Sequence, residues 1–177
     1  MGSEMCIRDS VSICHCIAQL ISPSGLRVRR MRPWAISGNW IHNCMDMTYD
    51  PVYASLKDTL KSEGSIRVVP ITEVPMPNVE NLDFIDSEKL REISSRWDSM
   101  GNEGRARSIS HLCREVLQST KPSTSRLEEI VWSCIMAPGW ESDLASQIRL
   151  SSSIWKHNDK GIAASKIIDS LIRSGNL

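Results

Sequence analysis

Three prolines within eight residues, Pro70, Pro75 and Pro77, restrict how the stretch EGSIRVVPITEVPMPNVENL at residues 63–82 can fold. Proline has no backbone N–H and holds φ at about −65°, so a long helix and a sheet interior both reject this spacing. What remains is an extended run that leaves any sheet and crosses a surface. Gly64 and Ser65 break the segment before it. Ile66, Arg67, Val68 and Val69 then read as a short strand, with Ile66 and Val68 on the buried side and Arg67 on the outer one. The stretch is a strand feeding a rigid connector that aims the helices after it. Residues 11–82 read as an irregular, partly basic segment holding one helix, this strand and the connector. Residues 83–177 read as a domain of amphipathic helices.

The fold class expected is therefore mainly α with a short β segment, an α+β arrangement. A chain of 177 residues has one domain as its prior and can bury a core. Lys plus Arg and Asp plus Glu are equal at 21 each, so net charge makes no case for nucleic acid or a membrane surface. Hydrophobic content of 41% against 24% charge is globular rather than disordered. Six Trp beside two Tyr and one Phe have no explanation in the sequence alone. The six Cys follow no regular spacing and no secretory signal precedes them, which predicts reduced thiols and a cytoplasmic protein. No apolar run approaches the roughly 20 residues a membrane span needs. The nearest, residues 11–21, is interrupted by His15 and Gln19.

The first ten residues, MGSEMCIRDS, carry no hydrophobic period and read as translated adapter or vector sequence, a non-native leader. On that reading the chain is a fragment, the helical C-terminal part of a larger protein. Cys14-His15-Cys16 gathers soft ligands, but two Cys one residue apart do not complete a tetrahedral zinc site, and no CxxC pair elsewhere supplies the rest. Cys44 with His42 has unsuitable spacing, so no metal site is expected. Residues 25–32, GLRVRRMR, hold Arg27, Arg29, Arg30 and Arg32 and no acid. Such a run contacts phosphates bidentately or forms a solvated face.

A helix is expected from Pro51 or Val52 to Lys61, with Asp50 as N-cap, Pro51 at its first position and Gly64 past its end. Val52, Leu56 and Leu60 form its apolar stripe, with Lys57 and Lys61 projecting elsewhere. After the connector, Ser87 caps a helix carrying Leu90, Ile93 and Trp97. A second spans 105–119 with Ile109, Leu112, Cys113, Val116 and Leu117 at helical spacing, His111 beside that stripe being structural. A third comes after Pro122, with Ser125 and Glu128 as capping box, buries Leu127, Ile130, Val131, Cys134 and Ile135, and ends before Pro138. Residues 141–155 offer Leu144, Ile148 and Trp155 with weaker periodicity. The last helix starts at Asn158 or Asp159, sets Ala164, Ile167, Ile168, Leu171 and Ile172 on one side and stops at Gly175.

Gly64-Ser65-Ile66-Arg67-Val68 followed by Val74-Pro75-Met76-Pro77-Asn78 resembles the C-terminal region of adenine-N6 DNA methyltransferases of the combined restriction-modification type. There a helix precedes a Gly-x-hydrophobic-Arg strand, a Leu-Pro-Ile-Pro-Asp connector and further helices. Here Val74 and Met76 stand for Leu and Ile, and Asn78 for Asp; the similarity covers residues 41–140. The resemblance implies S-adenosylmethionine chemistry in the parent enzyme, performed by an upstream catalytic domain, with no cofactor bound by this segment. It also implies weak contact with duplex DNA, for which Arg27, Arg29, Arg30 and Arg67 are the candidate residues.

Asp50-Pro51-Val52-Tyr53 comes close to the Asp/Asn-Pro-Pro-Tyr motif of amino-methyltransferases, whose aromatic ring stacks on a flipped base. Its third residue is wrong and no glycine-rich cofactor turn precedes it, whereas a helix cap accounts for both Asp and Pro. No catalytic triad, carboxylate pair, phosphate loop or metal set has the spacing its chemistry needs. Two functions stay open: a DNA-recognition portion of a methyltransferase or restriction-modification enzyme, and a helical protein-interaction or scaffold module.

Overall fold

A computed structural model of the chain describes residues 2–44, 51–77, 85–114 and 129–177. Helix α1 (Gly2–Ile21) and α2 (Leu26–Met31) lead through a 3₁₀ turn (Arg32–Ile36) into α3 (Ser37–Cys44). Helix α4 (Pro51–Ser62), strand β1 (Arg67–Val69) and a 3₁₀ turn (Ile71–Glu73) follow. Then come α5 (Ser87–Arg96), a 3₁₀ turn (Trp97–Ser99), α6 (Asn102–Leu112), strand β2 (Cys134–Met136), α7 (Leu144–His157) and α8 (Lys160–Arg173). The protein is mainly α, with one small two-stranded sheet among the described residues.

Before residue 50 the structure corrects the expectation of irregular chain. Residues 2–44 are largely helical, including the part read as a leader. Ile13, Ile17, Leu20 and Ile21, at i, i+4, i+7 and i+8, form an apolar stripe at helical spacing that faces solvent, while His15, Ala18 and Gln19 turn partly inward.

Helix α4 begins at Pro51, as its sequence predicts; Asp50, the expected cap, lies outside the described residues. Its buried stripe is Tyr53 and Leu60 with Leu56 half-buried, and Val52 is exposed. Gly64 ends it at φ 71°, a left-handed position that favours glycine. Ser65 and Ile66 N–H groups close back on the Leu60 carbonyl. That reversal points the chain into β1.

Strand β1 pairs antiparallel with β2, Arg67 opposite Met136, Val68 opposite Ile135 and Val69 opposite Cys134. The helix expected through Cys134 and Ile135 is thus a strand, because both faces of this short run are buried. A run buried all round has no period to distinguish strand from helix. Ile66 is buried just before β1; within the strand Val69 is buried, Val68, expected on the buried side, is half-buried, and Arg67 is exposed at its start.

The proline connector also departs from the surface run expected of it. Ile71 and Val74 are core residues, and the Met76 N–H donates to the Glu141 carbonyl at 2.8 Å.

Of the remaining helices, α5, α7 and α8 take their starts from side-chain caps. Asp86, rather than Ser87, caps α5 by accepting from the Glu88 and Lys89 N–H groups. Helix α6 starts at Asn102 and buries Ile109 and Leu112, with Cys113 buried just past its end; the rest of that predicted helix and the Ser125–Glu128 box lie outside the described residues. His111 is exposed. Asp143 and Asp159 cap α7 and α8. Trp155, expected on the apolar face of α7, is 45% exposed. Of the stripe expected on α8, Leu171 is buried and Ile168 is exposed.

Tryptophan replaces phenylalanine as the large core residue: Trp34, Trp40, Trp97 and Trp140 are buried in one cluster with Ile36, Ile66, Ile109, Ile135 and Leu144. Among the described residues no helix is long and apolar enough to cross a membrane.

Candidate anion-binding face

Gly175 organises this face. It sits at φ 85° past the end of α8, and its carbonyl accepts from the indole N–H of both Trp34, at 2.9 Å, and Trp140, at 3.0 Å. The two rings meet at 5.4 Å between centroids, tilted by 54°. Burying two indoles without partners would leave two donors unsatisfied, so one carbonyl settles both. A Cβ at Gly175 would lie 3.2 Å from Cβ and Cγ of Arg30, so the arginine stem packs flat on the glycine.

Helix α2 supplies the charge. Arg30 donates from Nη1 to the Ile172 carbonyl at 3.1 Å, which ties α2 to the last turn of α8. Arg29 donates from Nη2 to the Ser24 carbonyl. Arg32, in the following 3₁₀ turn, approaches Glu63 Oε2 at 3.6 Å and donates weakly to Ser65 Oγ at 3.4 Å. Its Nε is buried with no partner among the described residues.

Arg29, Arg30 and Arg32 border one cleft of about 290 Å³, closed by Glu63, Ser65, Trp140 and Gly175. A neighbouring trough of about 690 Å³ is lined by Arg27, Arg30 and Arg173. Three of the four arginines proposed for DNA, Arg27, Arg29 and Arg30, therefore share one side of the molecule. Arg67 is exposed on β1 and lines neither cavity. Sequence reasoning missed Glu63 and His15 as neighbours of the cluster; nothing in their spacing could have placed them there.

His15 on α1 has its Nε2 buried without a partner among the described residues. Burial first, then the Arg32 cation, hold its imidazole below its ordinary pKa, and Glu63 opposes them. Cys14 and Cys16 beside it are exposed, and no group of three His, Cys, Asp or Glu among the described residues is arranged to hold a metal.

At the other end of α4, Tyr53 is buried. Its hydroxyl donates to Glu129 Oε2 at 2.5 Å, Lys57 Nζ reaches Glu129 Oε1 at 2.7 Å, and the same ammonium lies 4.8 Å above the tyrosine ring. Lys57, expected to project away, is thus half-buried on the tyrosine side. Burial, then the hydrogen bond and charge of Glu129, push the phenol pKa up. A ring covered in this way offers no face for a base to stack on. The buried thiol of Cys113 is pushed up to about 11 by burial, and that of Cys134, which donates to the Ile130 carbonyl, is raised as well. Both therefore stay protonated and are poor nucleophiles.

No protein family, curated protein or solved structure matches this chain.

Proposed function

We propose that the chain is a non-catalytic DNA-recognition portion of an adenine-N6 DNA methyltransferase or restriction-modification enzyme, meeting duplex phosphates through Arg27, Arg29, Arg30 and Arg67. The observation that carries the reading is the convergence of Arg29 and Arg30 with Arg32 on one cleft whose lining includes a single carboxylate, Glu63. Arg27 and Arg67 are exposed and add to the basic surface. In a chain of zero net charge such contacts give register and weak affinity, not base readout. Four phosphate contacts imply affinity of the non-specific order, about 10⁻⁴ to 10⁻⁶ M, falling on the order of 100-fold between about 50 and 200 mM salt. Fluorescence anisotropy with a labelled duplex tests this: Arg27, Arg29, Arg30 and Arg67 replaced together by Ala abolish binding. Binding that survives all four changes overturns the reading.

A second reading, a protein-interaction module, is favoured by α1. Ile13 is 57% and Leu20 84% exposed on the same helix face as Ile17 and Ile21, an apolar stripe turned to solvent.

A further inference from the structure

The cleft beneath α2 is a stronger anion site than a row of surface arginines. At about 290 Å³ it lies at the small end of ligand pockets, which run from about 300 to 1,000 Å³. That suits a single phosphate group and not a dinucleotide. Three arginines and one carboxylate line it, a formal excess of two positive charges, which matches a phosphate dianion.

The arginine closest to Glu63 is also the least well satisfied. Arg32 is 14% exposed by side chain, its Nε has no partner among the described residues, and its approach to Glu63 is loose at 3.6 Å. Glu63 lies just past the end of α4 with its side chain 35% exposed, so it can swing to water without disturbing the core. A phosphate offers Arg32 two oxygens in the planar geometry its fork requires, which a glancing carboxylate does not.

We propose that this cleft is a phosphate-monoester site in which Arg29, Arg30 and Arg32 hold one phosphate and Glu63 is the group it displaces from Arg32. The proposal rests on the phosphate reading for Arg29 and Arg30, and adds Arg32, Glu63 and a preference for a terminal, doubly charged phosphate. Two sources carry that chemistry: a free small phosphate ester, or the 5′-phosphate at a nucleic-acid end.

The test is an NMR titration of the full chain with inorganic phosphate at constant ionic strength. Saturable shifts are expected at the Gly64, Ser65 and Gly175 amides and at the Trp140 indole N–H, with none from matched chloride. Glu63→Gln removes the competing carboxylate and should tighten binding about threefold to fivefold, a gain that unfolding cannot imitate. Arg32→Lys keeps the charge but loses the fork and should weaken binding about tenfold. Arg91→Ala, a charge change of the same size as Glu63→Gln but of opposite sign, on the exposed side of α5, should leave it nearly unchanged.

A 5′-phosphorylated oligonucleotide that shifts the same signals more tightly than its unphosphorylated twin identifies a strand end as the source. Equal behaviour of the two, with phosphate still bound, assigns a free ester. No saturable shift with phosphate, or no response to either Glu63→Gln or Arg32→Lys, overturns the site. Those results with duplex binding intact leave the DNA reading standing. Phosphate shifts without duplex binding remove that reading alone.

Discussion

The two ends of α4 carry charged clusters built from the same kinds of group and differ in how they are closed. At the first, Glu129 takes a hydrogen bond from Tyr53 on one oxygen and an ion pair from Lys57 on the other, so one carboxylate meets one ammonium and one phenol. At the second, Glu63 shares a cleft with three arginines and approaches one of them, Arg32, whose Nε is buried with no partner among the described residues. A cluster that is electrically complete has nothing to offer a ligand and serves to dock the 129–131 segment on α4. One with surplus cations and unspent donors serves stability poorly and is open to an anion. Structure alone thus separates a staple from a candidate site, where residue types alone would not.

The widest gap should appear in stability. Glu129→Ala removes the carboxylate that the half-buried Lys57 ammonium and the buried Tyr53 hydroxyl share, which costs on the order of 3 kcal/mol. With a urea dependence of about 2 kcal/mol per molar, the midpoint falls by about 1.5 M. Arg32→Ala at the open end should cost about 1 kcal/mol or less, because a loose, partly exposed pair contributes little. Equal losses at the two ends would erase the distinction between staple and site.

Gly175→Ala tests what holds the open end together. Alanine at φ 85° is strained, and its Cβ meets the Arg30 stem at 3.2 Å. We expect a loss of about 1–2 kcal/mol, or about 3–6 °C in Tm by calorimetry. Phosphate affinity should weaken with it as Arg30 is pushed aside. A stability loss with unchanged phosphate shifts would mean that Arg30 does not depend on the glycine seat.

The contrast between the clusters also marks what the sequence could reveal. Elements with local signatures were legible: Pro51 opening α4, Gly64 closing it, Asp159 and Gly175 bounding α8. The arginine run was visible as a run. What it packs on was not, since the Ile172 carbonyl and Gly175 come from the far end of the chain. Strand β2 was lost to a helix because Ile130, Val131, Cys134 and Ile135 fit helical spacing as well as a strand buried on both faces. Helix α1 was missed although Ile13, Ile17, Leu20 and Ile21 stand at helical spacing; what that spacing could not show is that the stripe faces solvent. The Tyr53–Glu129–Lys57 closure joins residues more than seventy positions apart, and no local pattern encodes that.

The smallest effect, and the one most specific to the open cluster, is in the titration of His15. Its pKa is held below the ordinary 6.5 by burial and by Arg32, while Glu63 pulls the other way. A histidine depressed in the folded state binds fewer protons there than in the unfolded chain. Its contribution to stability is therefore intact above 6.5 and declines as pH falls from 6.5 through the lower folded pKa. The two neighbours must move it in opposite directions. Arg32→Ala removes a cation and raises the His15 pKa, though not to 6.5, because burial remains. Glu63→Gln removes an anion and lowers it further. Phosphate in the cleft adds negative charge beside Arg32 and should raise it, and Glu63→Gln should not prevent that rise. NMR titration of the His15 ring protons reads all three. A His15 signal indifferent to both substitutions would mean that the imidazole responds to burial alone, and that the charges at this end of α4 are screened from one another by solvent.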